Sequence, residues 1–420
     1  MAKIFISIAS YRDPELLPTI KDILEKAKKP KDLRICIAWQ HSEEDSWDQL
    51  DEYKNDSRFD IIDIPYKQSL GTCWARNQIH QRYNGEDYYL QLDSHHRFIE
   101  NWDQECIKMV KGLQKKGHSK PLLTAYIPSF NPEKDPQDRV QEPWWMTFDR
   151  FIPEGAVFFL PASIPNWKEL KEPIPSRFLS AHFIFTLGKW CQEVTYDPNY
   201  YFHGEEISLA VRSYTSGYDL FHPHKVVAWH EYTRKGRTKQ WDDDPEWVTK
   251  NNNSHKRNRI LFGMEPGCSE CQRKSVKQYG FGNERTLENY ERYAGIQFST
   301  RAAQDYTLNN NFAPNPIIED PEEYAKSFKK IFKHCIDVYP ISLHERDYDF
   351  WCVAFENDQG DTIHRQDADV DELNRIFADN EFGYYKVWRT FETSQKPVKW
   401  VIWPHSATKG WCDKMEGIIV

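Results

Sequence analysis

Asp93 and His95 stand two residues apart at the end of Tyr88-Tyr89-Leu90-Gln91-Leu92, a run that reads as a strand. Alternate residues of an extended chain face the same way, so this carboxylate and imidazole can hold one ion between them. Such a ligand pair suits a borderline divalent metal such as Mn²⁺. The competing reading of so short a motif is an Asp-Ser turn beside a surface histidine. In Leu70-Gly71-Thr72-Cys73-Trp74-Ala75-Arg76-Asn77 a glycine precedes a helix start and an arginine follows one turn in. That arrangement can cradle a phosphate or a uracil carbonyl, or it is simply a helix packed through Trp74 with Arg76 in a surface ion pair. Further on, Gly204-Glu205-Glu206 opens a helix over 207–214, where the helix dipole favours acids. The pair is either two ordinary first-turn acids or, with Tyr200-Tyr201-Phe202 just ahead, part of a pocket wall. His230 follows a strand expected over 225–229, and a metal site short of a third protein ligand is where it would serve.

These residues need a scaffold that brings strand ends together. Residues 3–9 are a buried apolar strand, and a helix with Leu16, Ile20, Ile23, Leu24 and Ala27 on one face runs on to Lys29-Pro30. Acids around Asp13 and Glu15 are placed in its first turn. Strands follow over 33–39, 59–64 and 87–92, with a loop and short helix between the first two, over 42–51. The alternation predicts an α/β unit with a mostly parallel sheet, whose ligands gather at the carboxyl ends of its strands. Residues 178–190 read as another strand, in which Ser180 and Ala181 leave room for a bulky neighbour.

The balance of the chain narrows its partners. Its 420 residues exceed one ordinary hydrophobic core, so two domains are expected. A net charge of −9 without a long basic stretch argues against nucleic acid as a main partner. Aromatic residues make up 15% of a chain with a mean hydropathy of −0.78, a mixture that offers rings to sugar or base faces as well as to cores. No apolar run is long enough for a membrane span and the opening residues show no basic-then-apolar pattern, so neither a membrane span nor a signal peptide is expected. Nine scattered cysteines read as reduced thiols of a cytoplasmic protein. Cys268-x-x-Cys271 is their one close pair, and without a second pair nearby it falls short of a structural zinc site.

The order of the pieces resembles one family. I-F-I-S-I-A-S-Y-R-D-P at 4–14, C-W-A-R at 73–76, Y-Y-L-Q-L-D-S-H-H-R-F at 88–98, F-H-G-E-E-I-S-L-A at 202–210 and V-V-A-W-H at 226–230 carry the likeness. The family is that of the cytoplasmic α-N-acetylglucosaminyltransferases that modify hydroxyproline on a ubiquitin-ligase adaptor, with their bacterial relatives. The chain is similar, more distantly, to the mucin-type polypeptide GalNAc-transferases. This resemblance spans roughly residues 3–300, including Tyr279 to Thr286. It implies a GT-A glycosyltransferase that retains the anomeric configuration, with UDP-GlcNAc as donor and Mn²⁺ as cofactor. Asp93, His95 and His230 would be the metal ligands. Ala9, Ser10, Tyr11 and Arg12 would hold the uridine, with Trp74, Arg76 and Asp93 also lining the nucleotide site. Glu205 and Glu206 resemble the catalytic acidic pair that faces the donor sugar. The middle position of the family's D-S-H-x-R-F is usually apolar and here is His96; strand alternation favours His95 as the ligand. Retention can use a carboxylate nucleophile or proceed on one face of the sugar. The one-face route is favoured, because the family offers no carboxylate in a clearly nucleophilic place.

Residues 1–312 are assigned to the catalytic domain, with a polar, basic stretch at 251–259 and a helix over 284–293. A linker is expected at 308–316, and residues 313–420 then form a small β-rich accessory domain. Its strands are expected over 347–356, 384–391 and 398–403, with a helix over 369–378. Trp351, Trp388, Trp400, Trp403 and Trp411 are placed mainly in its core, the alternative being a grip on an acceptor sugar. The acceptor is a protein or a polysaccharide, and residues 128–175, rich in Pro and Trp, are the candidate wall for it. Two other functions fit the same motifs: a metal-dependent nucleotide-sugar hydrolase or nucleotidyltransferase, and a noncatalytic glycan-binding module.

Overall fold

The computed structural model describes residues 3–233, 236–379 and 383–419. The chain divides into two compact units, Met1–Asp320 and Pro321–Val420. In chain order the first unit begins β1 (Ile4–Tyr11), α1 (Leu16–Lys26), β2 (Leu33–His41), β3 (Phe59–Pro65), α2 (Thr72–His80), β4 (Tyr88–Asp93), β5 (His96–Phe98), α3 (Trp102–Lys115) and β6 (Pro121–Thr124). It continues with β7 (Trp144–Phe151), β8 (Val157–Ser163), β9 (Ile174–Pro175), β10 (Phe183–Leu187), α4 (Trp190–Glu193), α5 (Glu205–Thr215), β11 (Asp219–His222), β12 (Ala228–His230), α6 (Gln240–Asp243) and α7 (Trp247–Leu261).

Eight strands form one sheet in the order β3-β2-β1-β4-β10-β6-β11-β9. The pairs from β3 to β4 and the β6–β11 pair are parallel, while β10 and β9 run antiparallel to their neighbours. Period two explains why the sheet is covered on both faces. Phe5, Cys36, Ala38 and Tyr89 face one core with Cys73, Ala75 and Ile79 of α2. Ile4, Ile6, Ile8, Ile35 and Leu90 face the other with Leu16, Ile20 and Ile23 of α1 and Trp102, Met109 and Val110 of α3. The mostly parallel α/β unit expected from the alternation is therefore present. Among the described residues no helix is long and apolar enough to cross a membrane.

Several local expectations are corrected. Residues 42–51 form turns without a helix. The strand expected over 178–190 shrinks to β10, and the one expected over 225–229 to β12, which includes His230. The stretch 251–259 lies inside α7, whose buried residues are Ser254, His255 and Asn258, so its inner face is polar and leaves no apolar period to read. The expected linker instead packs into the first unit: buried Asn315 accepts from Arg177 Nη2 at 2.6 Å and donates to Gln304 at 2.8 Å.

In the second unit the strand Tyr348–Glu356 pairs with Lys399–Ser406 and Thr362–Arg365, and Ile331–Val338 pairs with Tyr385–Glu392. Helix Val370–Ala378, whose Asp369 side chain caps the N–H of Glu372, buries Leu373 and Ile376 against Trp351, Val353 and Phe355. Trp351 is core as expected. Trp388, Trp403 and Trp411 are not: they are 48%, 39% and 48% exposed. Alternation decides it, since Val387 and Ile402, next to Trp388 and Trp403, take the inward positions.

Candidate active site

The register of the sheet assembles the site. β1 and β4 run parallel with Ala9 opposite Asp93 as the last pair, so the residues that follow it on each chain, Ser10–Asp13 and Ser94–His96, start side by side. β12 pairs antiparallel with β5 and sets His230 opposite His96. Asp93, His95 and His230 thereby offer ligand atoms that all lie within 4.8 Å of one another, the only such group of three or more His, Cys, Asp or Glu among the described residues. The Nε2 atoms of His95 and His230 are 3.8 and 3.4 Å from Asp93 Oδ2. His96 is buried but stands outside the group, its Nδ1 3.1 Å from the carbonyl oxygen of Asp93. One carboxylate and two imidazoles fit a divalent cation.

The surroundings fix these groups. Arg76 is not in the surface ion pair considered from sequence. It is 2% exposed and donates to Asp93 Oδ1 at 2.6 Å and to the Tyr196 hydroxyl at 3.2 Å. Burial works against an ionised Asp93, but His230 and Arg76 outweigh it and hold the carboxyl well below its ordinary range. Burial also pushes His230 down to about 4, which keeps its imidazole neutral with a lone pair to give. His182 lies against it at 4.3 Å, its Nε2 accepting the N–H of Ile127 at 3.2 Å and its Nδ1 3.0 Å from Ser180 Oγ.

The acidic pair opens α5 behind Gly204, which takes φ +102°. Glu206 is held by three donors: the Ala181 N–H at 2.8 Å, Tyr126 Oη at 3.0 Å and Ser180 Oγ at 3.2 Å. Ser180 and Ala181 thus serve as a carboxylate clamp in a turn rather than as space in a strand. Burial raises the Glu205 carboxyl to about 8, with Glu206 adding to the rise, and burial raises Glu206 as well against the pull of its three donors. Tyr200 and Tyr201 pack inside instead of walling a pocket, and the backbone of Tyr201 passes so close to Gly71 (φ +119°) that a Cβ there would sit 2.8 Å from its carbonyl oxygen.

At the ends of β1 and β2, Ser10 is buried and Ala9 half-buried. Tyr11 donates to Asp243 at 2.8 Å, and Arg12 is clasped by Asp45 at 2.6 Å and Asp243 at 3.1 Å. Trp74 is half-buried against the core under α2. Two participants escaped the sequence reading. Asp13, expected in a helical first turn, lies before α1 and accepts from His95 Nδ1 at 2.7 Å; His182 comes from a loop far along the chain. Cys268 is buried, Cys271 is exposed and both are free thiols.

The profile described as Glycosyltransferase (GlcNAc) matches residues 3–58 and 47–300, a stretch holding every residue of the site. The chain belongs to this glycosyltransferase family. A search of curated proteins finds no match. Among solved structures, GalNAc-T7 with UDP, GalNAc and Mn²⁺ aligns at 13% identity and a TM-score of 0.48, covering 69% of this chain and 56% of that one. The chain therefore spans little more than half the length of GalNAc-T7. TarS of S. aureus with UDP-GlcNAc aligns at 11% identity and a TM-score of 0.40, covering 66% of this chain and 71% of TarS. A mannosyltransferase of Pyrobaculum calidifontis with GDP-Man and Mn²⁺ aligns at 9% and 0.38, covering 66% and 68%.

Proposed function

We propose that the first unit is a GT-A-type, metal-dependent transferase that moves N-acetylglucosamine from UDP-GlcNAc to a hydroxyl of a protein or glycan, with retention of the α-anomer. The observation that carries this reading is the convergence of Asp93, His95 and His230, linked to Glu206 through His182 and Ser180, in a chain of a GlcNAc glycosyltransferase family. Asp93, His95 and His230 would hold Mn²⁺, which when bound neutralises charge on the departing diphosphate. Arg76 keeps Asp93 ionised and aimed. Residues 9–12, with Trp74 and Arg76, form the nucleotide end.

The acidic pair supports the one-face route. Glu206 has both oxygens committed to donors, and burial favours the protonated form of Glu205 over the free carboxylate. Neither is a ready nucleophile, and both suit hydrogen bonding to sugar hydroxyls. A reducing, cytoplasmic setting agrees with nine free thiols. The test is Mn²⁺-dependent UDP release from UDP-GlcNAc, UDP-Glc, UDP-Gal and UDP-GalNAc. Selective release from UDP-GlcNAc that an acceptor hydroxyl accelerates is expected. Release that no protein or glycan acceptor accelerates points to a hydrolase and overturns the transferase reading.

A further inference from the structure

We propose that Asp13 is a positioning residue of this site: its carboxylate holds the His95 proton on Nδ1 and leaves Nε2 bare beside Asp93. The inference rests on the metal reading above. Asp13 is buried and its two oxygens receive four donors. Oδ1 takes the N–H of Glu15 at 2.9 Å, and Oδ2 takes Ser94 Oγ at 2.6 Å, His95 Nδ1 at 2.7 Å and Arg237 Nη1 at 3.0 Å. A carboxylate so surrounded accepts and cannot donate, so the shared proton must sit on the imidazole. A neutral imidazole with its proton on Nδ1 presents the Nε2 lone pair, which here points toward Asp93 Oδ2 at 3.8 Å. Arg237 Nη1 also lies against His95 Nδ1; a guanidinium only donates, so both groups turn to the oxygen they share.

The two histidine ligands are therefore oriented by different means. His230 Nδ1 is buried without a hydrogen-bond partner, and rings hold it: His182 and Tyr232, each with its centroid 4.3 Å away. His95 has a carboxylate behind it, the arrangement that fixes the ring of a metal-bound histidine and raises its basicity. Because Asp13 lies some eighty positions before His95, one sequence motif cannot display the pair.

Two measurements test this. Nitrogen-15 NMR of the metal-free chain at about pH 8, above the ordinary histidine range, reads the tautomer of His95 once its resonances are assigned by their loss in His95→Gln. A predominant Nδ1–H form is expected, and a predominant Nε2–H form overturns the proposal. Mn²⁺ titration followed by electron paramagnetic resonance then compares the native chain with Asp13→Asn and Asp93→Ala. A loss of about 10- to 100-fold in affinity is expected for Asp13→Asn, the scale of second-sphere losses at metal sites. A folded Asp13→Asn chain that binds within about twofold of the native one overturns the proposal, while abolished binding in Asp93→Ala keeps the metal site itself. If Asp13→Asn does not fold, the tautomer decides. If the native chain binds no Mn²⁺, the metal reading falls, and the tautomer still decides whether Asp13 orients His95.

Discussion

The carboxyl end of the central sheet and the interior of the second unit are packed from opposite materials. At the sheet end Asp13, Arg76, Glu205, His95, His96, His182 and His230 are buried, and Asp93 and Glu206 partly so. In the second unit the core is Ile336, Trp351, Val353, Phe355, Leu373, Val387 and Ile402, and Arg389, the one buried cation among its described residues, is paired with Glu372 at 2.6 Å. Burying charge costs desolvation that apolar packing of the same volume avoids. A dense group of buried ionisable side chains is thus better explained by chemistry than by stability, whereas the interior of the second unit is built as stability alone would build it. Substitutions at the sheet end should change binding and turnover, and substitutions in the second core should change melting.

The sharpest contrast comes from Asp93→Ala. UDP release should fall by about 10³-fold, the scale of losing a main electrostatic group, while circular dichroism shows the chain still folded. Turnover that survives would remove the site from the comparison. Trp351→Ala should do the reverse, costing the second unit about 3–5 kcal/mol in denaturant unfolding and leaving UDP release at its native level. Loss of activity at unchanged stability would break the distinction.

A subtler effect concerns Glu205. Its carboxyl, raised to about 8, holds a proton in the folded chain that the unfolded chain has already given up. Folded-state stability should therefore decline as pH rises from about 5 to about 8, because the native state binds more protons across that window. Glu205→Gln removes the titrating group, so its melting temperature should gain on the native chain as pH rises. Parallel curves would contradict the buried, protonated assignment. The smallest effect is expected at Trp403, where substitution by Ala should cost about 1 kcal/mol in denaturant unfolding, since the ring is 39% exposed and its indole N–H donates to the Cys412 carbonyl at 2.9 Å.

Legibility followed the range of the interactions. Asp93 and His95 are paired correctly by their closeness in sequence, although the chain bends at Ser94 and His95 instead of running on as a strand, and the alternation of strands and helices foretold the mostly parallel sheet. The convergence of His230 on them rested in sequence only on its place at a strand end and on the family resemblance, since a short ladder between β5 and β12 creates it across more than a hundred residues. Asp13 and His182 stayed hidden for the same reason. α7 was missed because its buried face is polar, and the segment at 308–316 was misread because the amide of Asn315, rather than an apolar side chain, ties it down. The exposure of Trp403 is not legible because both faces of its strand carry large side chains, so composition gives no sign of which face is outward.

Calorimetric titration of UDP into the native chain and into His230→Ala, each with and without Mn²⁺, tests the central claim most directly. Binding in the native chain that is strengthened many-fold by Mn²⁺, and a loss of that strengthening in His230→Ala, is the expected result. Equal affinity with and without the metal in both chains would contradict the assignment of Asp93, His95 and His230 as one metal-holding group.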